Sequence, residues 1–239
     1  MPSSIAVVTS RGAKRLAAGH PWVFRTDLAA APSEPAGPVR MADPRGQPLG
    51  WAWWSPTSEI VLRRVERDTD VAIDRSWWRA RLAHAIARRA PLATVTSACR
   101  LVHGEGDGLA ALVVDRYDRW LVVQLLSAAL EAQRAVIVDV LQELVAPEGI
   151  LARNDASVRT REGLPKQVEL LAGSVPDEVE VDEHGVKYLA APWTGQKTGA
   201  FLDQRENRVL LRGHARGRAL DVFSYHGSFA LHLAREAES

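Results

Sequence analysis

The sequence predicts an α+β chain of several domains: a small β-barrel, a central α+β domain and the opening of a Rossmann-like α/β domain. Three observations predict it. The first part of the chain is a series of short apolar runs punctuated by Pro and Gly. The middle mixes β-type runs with one strong helical stripe. Near the end an apolar run passes straight into a glycine-containing loop and then into a helical pattern. A length of 239 residues has room for two or three such units.

Taken in order, the elements follow from local chemistry. Pro38 to Asp43, Pro48 to Trp54 and Glu59 to Glu66 read as strands, separated by the turn Asp43-Pro44-Arg45-Gly46 and the loop Ser55 to Ser58. Trp51, Trp53 and Trp54 are expected partly in the core, as is at least one of Trp22 and Phe24. Asp74 reads as an N-cap, followed by Trp78, Leu82, Ala85 and Ile86 at helical spacing, and Pro91 ends the pattern. Gly104 to Gly108 is a tight acidic loop. Leu109 to Tyr117 and Trp120 to Ser127 form a hairpin at Asp118-Arg119. Ile137, Val140, Leu141 and Leu144 make one helical stripe. Ile150 to Asn154, Gln167 to Ala172 and Val179 to Val181 are further strands, giving strand, strand, helix, strand, strand. Val186 to Ala190 is a strand, Asp203 to Arg208 begins a helix, Arg218 to Phe223 is a strand and Phe229 to Arg235 a helix. The expected domains are residues 1–73, 74–183 and 184–239.

Composition excludes several classes. With 46% hydrophobic and 25% charged residues, the chain is no disordered tail, collagen-like fibre or elongated coiled coil. One cysteine excludes an internal disulfide framework and a Cys-rich zinc site, and fits a reducing, cytoplasmic location. The apolar run Ile5 to Val8 is too short for a signal peptide, and Trp120 to Leu130 is too short to span a bilayer, so no membrane role is expected. No metal-ligand spacing is present among the seven histidines.

The net charge of +1 hides an uneven distribution. Residues 1–103 carry 15 Lys/Arg against 8 Asp/Glu, residues 104–183 carry 7 against 16, and residues 184–239 carry 8 against 5. A basic front half suits a polyanion; a solvated surface in an arginine-rich protein is the plainer account. Lys14, Arg15 and Arg25 surround His20-Pro21-Trp22-Val23-Phe24, and this pairing of cations with aromatics suits RNA.

Two runs near the end could carry chemistry. Asp221-Val222-Phe223-Ser224-Tyr225-His226-Gly227-Ser228-Phe229 places an acid and a glycine where a strand would turn into a helix, an arrangement that can hold a polar cofactor. On spacing alone an ordinary strand–helix turn fits it equally well. Thr194 to Arg208 is too polar for a core helix and too particular for a linker; it is not a phosphate loop, because the spacing is wrong. A capped surface helix with salt bridges is its plainer reading. Cys99 reads as a small buried hydrophobe.

Together these runs resemble one family, bacterial class I S-adenosylmethionine-dependent 23S rRNA (cytosine-5) methyltransferases with an N-terminal PUA domain. The resemblance is carried by Gly19 to Phe24, by Arg100 to Leu109 with Val114 to Tyr117, by Gly195 to Arg208 and by Asp221 to Phe229. It implies a PUA barrel that docks on structured RNA, S-adenosylmethionine as cofactor and methylation of cytosine C5. It implies that Asp221, Phe223, Tyr225 and Gly227 line the methionine end of the cofactor. Gln196, Phe201 and Arg205 would close over it, and Lys14, Arg15 and Arg25 would touch RNA. No catalytic residue is assigned, a homodimer is possible, and the chain is expected to be the N-terminal part of such an enzyme. A non-catalytic RNA-binding module, made of the first two domains, is the alternative expectation.

Overall fold

The computed structural model describes residues 5–235. The first unit is a six-stranded sheet built from β1 (Ile5–Val8), β2 (Trp22–Phe24), β3 (Leu28–Ala30), β4 (Gly37–Ala42), β5 (Pro48–Trp54) and β6 (Ile60–Glu66), in the order β2-β6-β5-β4-β1-β3. β1 and β4 run parallel and the remaining pairs are antiparallel. The helix α1 (Ser10–Ala17) follows β1, its Thr9 hydroxyl accepting the Gly12 N–H at 3.1 Å. β1 to β3 and α1 escape the sequence reading because each is short and buries at most two residues, β3 none.

Alternation along β2 corrects one expectation. Val23 is the buried residue, and the period of two turns Trp22 and Phe24 away from the barrel core. Trp22 instead donates its indole N–H to Glu105 of the next unit, at 2.9 Å. Trp54 is in the barrel core. Trp53 is fully buried on the opposite side, stacked on Trp78 at 5.3 Å with Trp77 edge-on to both. These three indoles weld the barrel to α2 (Arg75–Ala87), which starts where the Asp74 carboxylate accepts the Trp77 N–H at 3.0 Å.

The central sheet has five strands, β7 (Ala98–His103), β8 (Leu112–Tyr117), β9 (Trp120–Leu125), β10 (Gly149–Asn154) and β11 (Gln167–Gly173), in the order β11-β10-β9-β8-β7. Only β9 and β10 are parallel, because the helices α3 (Ala128–Ala132) and α4 (Arg134–Val145) make the crossover between them. The short α5 (Val158–Arg161) links β10 to β11. Ile137, Val140 and Leu141 of α4 and Leu82 and Trp78 of α2 share one core with this sheet. The expected hairpin forms at Asp118-Arg119, but β8 begins only at Leu112, since Ala111 turns with φ 67°. β9 ends at Leu125, and Ser127 caps α3. β7 was not expected as a strand.

Val179 to Val181 does not join that sheet. It belongs to β12 (Val179–Glu183), which pairs with β13 (Val186–Ala190) in a hairpin packed on the other sheet face, through Tyr117, Val122, Val181 and Tyr188. The boundary expected between 183 and 184 therefore falls inside this hairpin's turn. After β13 come a loop, a 3-10 turn (Leu202–Gln204), α6 (Arg205–Arg212) and α7 (Ser228–Leu233). The strand expected over Arg218 to Phe223 does not form. A strand needs a hydrogen-bonded neighbour, and Leu220 (85% exposed) and Phe223 (99% exposed) have none. The described residues thus show a helical pair where the first strand of a Rossmann-like sheet was expected.

Candidate functional site

The run Thr194 to Arg208 is held by the central sheet. Asp115, fully buried, accepts two bonds from the Arg100 guanidinium at 2.8 and 2.9 Å and one from the Thr198 hydroxyl at 2.5 Å. The Tyr117 hydroxyl lies 3.1 Å from Thr198 Oγ1 and accepts the Ala200 N–H at 3.0 Å. Burial, with Asp115 beside it, pushes the Tyr117 phenol pKa up, so it stays neutral at every working pH. From β10, Arg153 donates to the carbonyls of Pro192 (2.7 Å) and Gly195 (3.0 Å). The loop closes so tightly that a Cβ on Gly195 would lie 2.7 Å from the carbonyl oxygens of Ala191 and Gly199. Two runs that were only conspicuous in the sequence, Val114 to Tyr117 and Gly195 to Arg208, are thus two sides of one clasp.

Behind the loop sits a buried charge cluster. Arg208 donates from Nε and Nη2 to the two oxygens of Glu183 at 2.6 and 2.7 Å, with both side chains 1% exposed. Arg208 also donates to the Phe201 carbonyl at 3.1 Å and lies 3.5 Å from Ser228 Oγ. The Tyr188 hydroxyl donates to Glu183 at 3.2 Å, and burial raises its pKa. His232 Nε2 is 3.2 Å from Glu183, while Arg212 donates to its Nδ1 at 2.8 Å. Burial pulls the His232 pKa down to about 4, with Arg212 and Arg208 adding to that and Glu183 opposing it. One guanidinium therefore joins β12, the 201 turn and the start of α7.

These elements enclose a cleft of about 330 Å³. Of the seven expected cofactor residues, Phe201, Phe223 and Tyr225 line it. Phe201 and Tyr225 pack edge to face at 5.5 Å, and the Lys197 ammonium lies over the Phe201 ring at 4.5 Å. Gln196 reaches its rim, donating its backbone N–H to the Tyr225 hydroxyl at 2.9 Å. Asp221 instead accepts the Ala230 N–H at 3.1 Å and so caps α7, and Gly227 opens that helix with φ 75°. Arg205 is placed outside the lining and pairs with Glu206 at 3.0 Å. Lys197, Asp203 and Phe229 line the cleft without an expected role, and Gln204 and Arg208 of the polar run line it as well. Burial pushes Asp203 up, yet the Lys197 bond at 2.8 Å outweighs it and holds the carboxyl below its usual range. His226 stacks on Tyr188 at 5.0 Å with both ring nitrogens buried and unpartnered; burial, then Arg208, lowers its pKa.

On the barrel, the three expected RNA contacts differ. Lys14 is exposed and makes no ion pair among the described residues. Arg15 bonds Asp27 at 3.0 Å and covers the Phe24 ring at 4.9 Å. Arg25 is committed to the carbonyls of Pro56 and Ser58, both at 2.7 Å. Cys99 is buried in β7, and burial raises its thiol pKa; it does not line the cleft. No group of ligands able to hold a metal ion exists among the described residues, and none of their helices is long and apolar enough to cross a membrane.

Residues 6–67 match the PUA-like domain family. Ribosomal RNA large subunit methyltransferase I of Erwinia tasmaniensis is 37% identical over 235 residues, 95% of this chain and 59% of that protein. The protein of the same name from Tolumonas auensis is 39% identical over 226 residues, 92% of this chain and 57% of its own. Among solved structures, "A putative sam-dependent methyltransferase from Streptococcus mutans" superposes with a TM-score of 0.81 at 22% identity, over 99% of this chain and 62% of that one. A second structure, of "a putative methyltransferase complexed with SAH", gives 0.83 at 21%, over 99% and 61%. The chain thus carries a PUA-like domain and is similar along nearly its whole length to ribosomal RNA large subunit methyltransferases I, of whose length it spans less than three fifths.

Proposed function

We propose that this chain serves S-adenosylmethionine-dependent methylation of 23S rRNA, at cytosine C5. The observation that carries the reading is the 37–39% identity along more than nine tenths of the chain to proteins named for that class of activity. Residues 1–73 dock on structured RNA, residues 74–183 form the connector and central domain, and residues 184–239 contribute to the cofactor site.

The cleft suits one end of the cofactor. Aromatic faces at Phe223 and Tyr225 match a sulfonium cation, while the Phe201 face and the Asp203 carboxylate, both engaged by the Lys197 ammonium, mark a place where a cation is already held. The buried, unpartnered nitrogens of His226 mark polar capacity beside it. S-adenosylmethionine, when bound, supplies an activated methyl group. The chain's own residues hold and orient: Arg208 fixes the Phe201 carbonyl and Ser228, and Thr198 fixes the loop below.

The test is transfer of labelled methyl from S-adenosylmethionine to 23S rRNA fragments by the protein purified from its source cell, with the product nucleotide mapped by mass spectrometry. The expected product is 5-methylcytidine. A second reading, an RNA-binding module without catalysis, rests on the PUA-like match over residues 6–67. RNA binding without methyl transfer would select it.

A further inference from the structure

Arg116 of β8 is a cation of the central domain left without a partner in a cavity wall. It makes no hydrogen bond or ion pair among the described residues, and its Nε is buried without a partner. It stands where two cavities meet. One, of about 290 Å³, lies between the end of α2 and β7, with walls from Ile86, Ala93, Cys99 and Leu101 and with Arg89 and Arg116 as its only charged lining. The other, of about 570 Å³, opens along Ala93 to Ser97 toward His184, whose Nε2 is likewise buried and unpartnered.

The lining of the narrower cavity is positive, whereas two carboxylates, Asp118 and Asp182, line the wider one. Arg89 is neutralised by two bonds to Asp107 at 2.6 and 2.8 Å. In the wider cavity, Asp118 faces Arg119 at 3.6 Å and Asp182 accepts the Gly185 N–H at 2.9 Å. No carboxylate lines the narrower cavity. Burial raises its Cys99 thiol pKa, Arg116, Arg205 and Arg89 oppose that, and Asp115 adds to the rise. An apolar slot with a free guanidinium at its mouth suits a flat ring system carrying an anion.

We propose that this slot is a nucleotide site: Arg116 takes a phosphate, and the base or sugar lies against Ala93, Cys99 and Leu101. It is separate from the cleft near Tyr225 and from the barrel. The RNA source rests on the function proposed above; a free nucleotide would use the same chemistry.

The test measures binding of a short single-stranded RNA and of a 5′-mononucleotide to the whole chain over a range of salt. The variants are Arg116→Gln, which removes the cation, and Ala93→Phe, which fills the slot without changing charge; thermal melting checks that both fold. The expected result is a loss of affinity of about tenfold or more in each, with the salt slope for RNA lowered by about one contact in Arg116→Gln. Loss for the mononucleotide as well supports the site with a free nucleotide as its ligand. RNA binding that is unchanged in both folded variants overturns this site and leaves the RNA reading standing. Binding of neither RNA nor mononucleotide by the parent chain overturns both.

Discussion

Glu183 and Arg208 hold each other's charge out of water, so neither tolerates losing the other. Glu183→Gln should lower stability by about 3–5 kcal/mol, read as a lower denaturation midpoint with an unchanged slope. Arg208→Met with Glu183→Gln in the same chain should recover part of that loss, because the stranded charge is gone. His232 adds a pH dependence. Its folded pKa of about 4 lies below the ordinary histidine value, so between pH 6.5 and 4 the unfolded chain binds a proton that the folded chain refuses. Stability is therefore complete above that window and falls as pH drops through it. The melting temperature of His232→Gln should fall less steeply than that of the parent between those limits. At this scale the sequence was only partly legible. Arg208 could be seen as the end of an unusual run, but its acid lies 25 residues earlier, and no local pattern links them.

Single elements were legible where local chemistry decides them. Asp74 caps α2, the α4 stripe is buried, and the β8–β9 turn lies where Asp118-Arg119 put it. Elements failed where a neighbour decides. Arg218 to Phe223 has the apolar content of a strand and no partner strand, so it stays irregular. Val179 to Val181 was read as a strand, but its sheet is set by β13, which lies on the far side of the expected boundary. In the cleft, the aromatic residues were legible as a motif. Asp221 was read as a cofactor ligand and caps a helix, a role that its position just before α7 also allows. The clasp gives an element-scale prediction. Thr198→Val removes the 2.5 Å bond to Asp115 and leaves the sheet intact. Amide exchange should quicken at Gly195 to Ala200, while β7, β8 and β9 keep the protection of the parent.

Across the whole molecule, charge is sorted along the chain: residues 1–103 hold an excess of seven positive charges, and residues 104–183 an excess of nine negative ones. Of that positive excess the barrel, residues 1–73, holds two and the α2 side, residues 74–103, holds five, so RNA should approach across both, and its affinity should fall steeply with salt. Lys14→Glu should weaken binding of rRNA fragments severalfold at low salt without shifting the melting temperature. Arg25→Glu should shift the melting temperature too, since Arg25 holds the 56–58 loop.

The hairpin of β12 and β13 supplies the acid for an arginine that comes after it in the chain. Divide the gene at codon 184, and the second piece is translated with a guanidinium whose counter-charge sits on the first. Neither piece is then a self-sufficient unit. Co-expressed, the two should be recovered as a pair; expressed alone, the second should be lost to proteolysis. The dependence runs through this carboxylate, the β12–β13 pairing and the clasp on Asp115 and Tyr117 rather than through the covalent join.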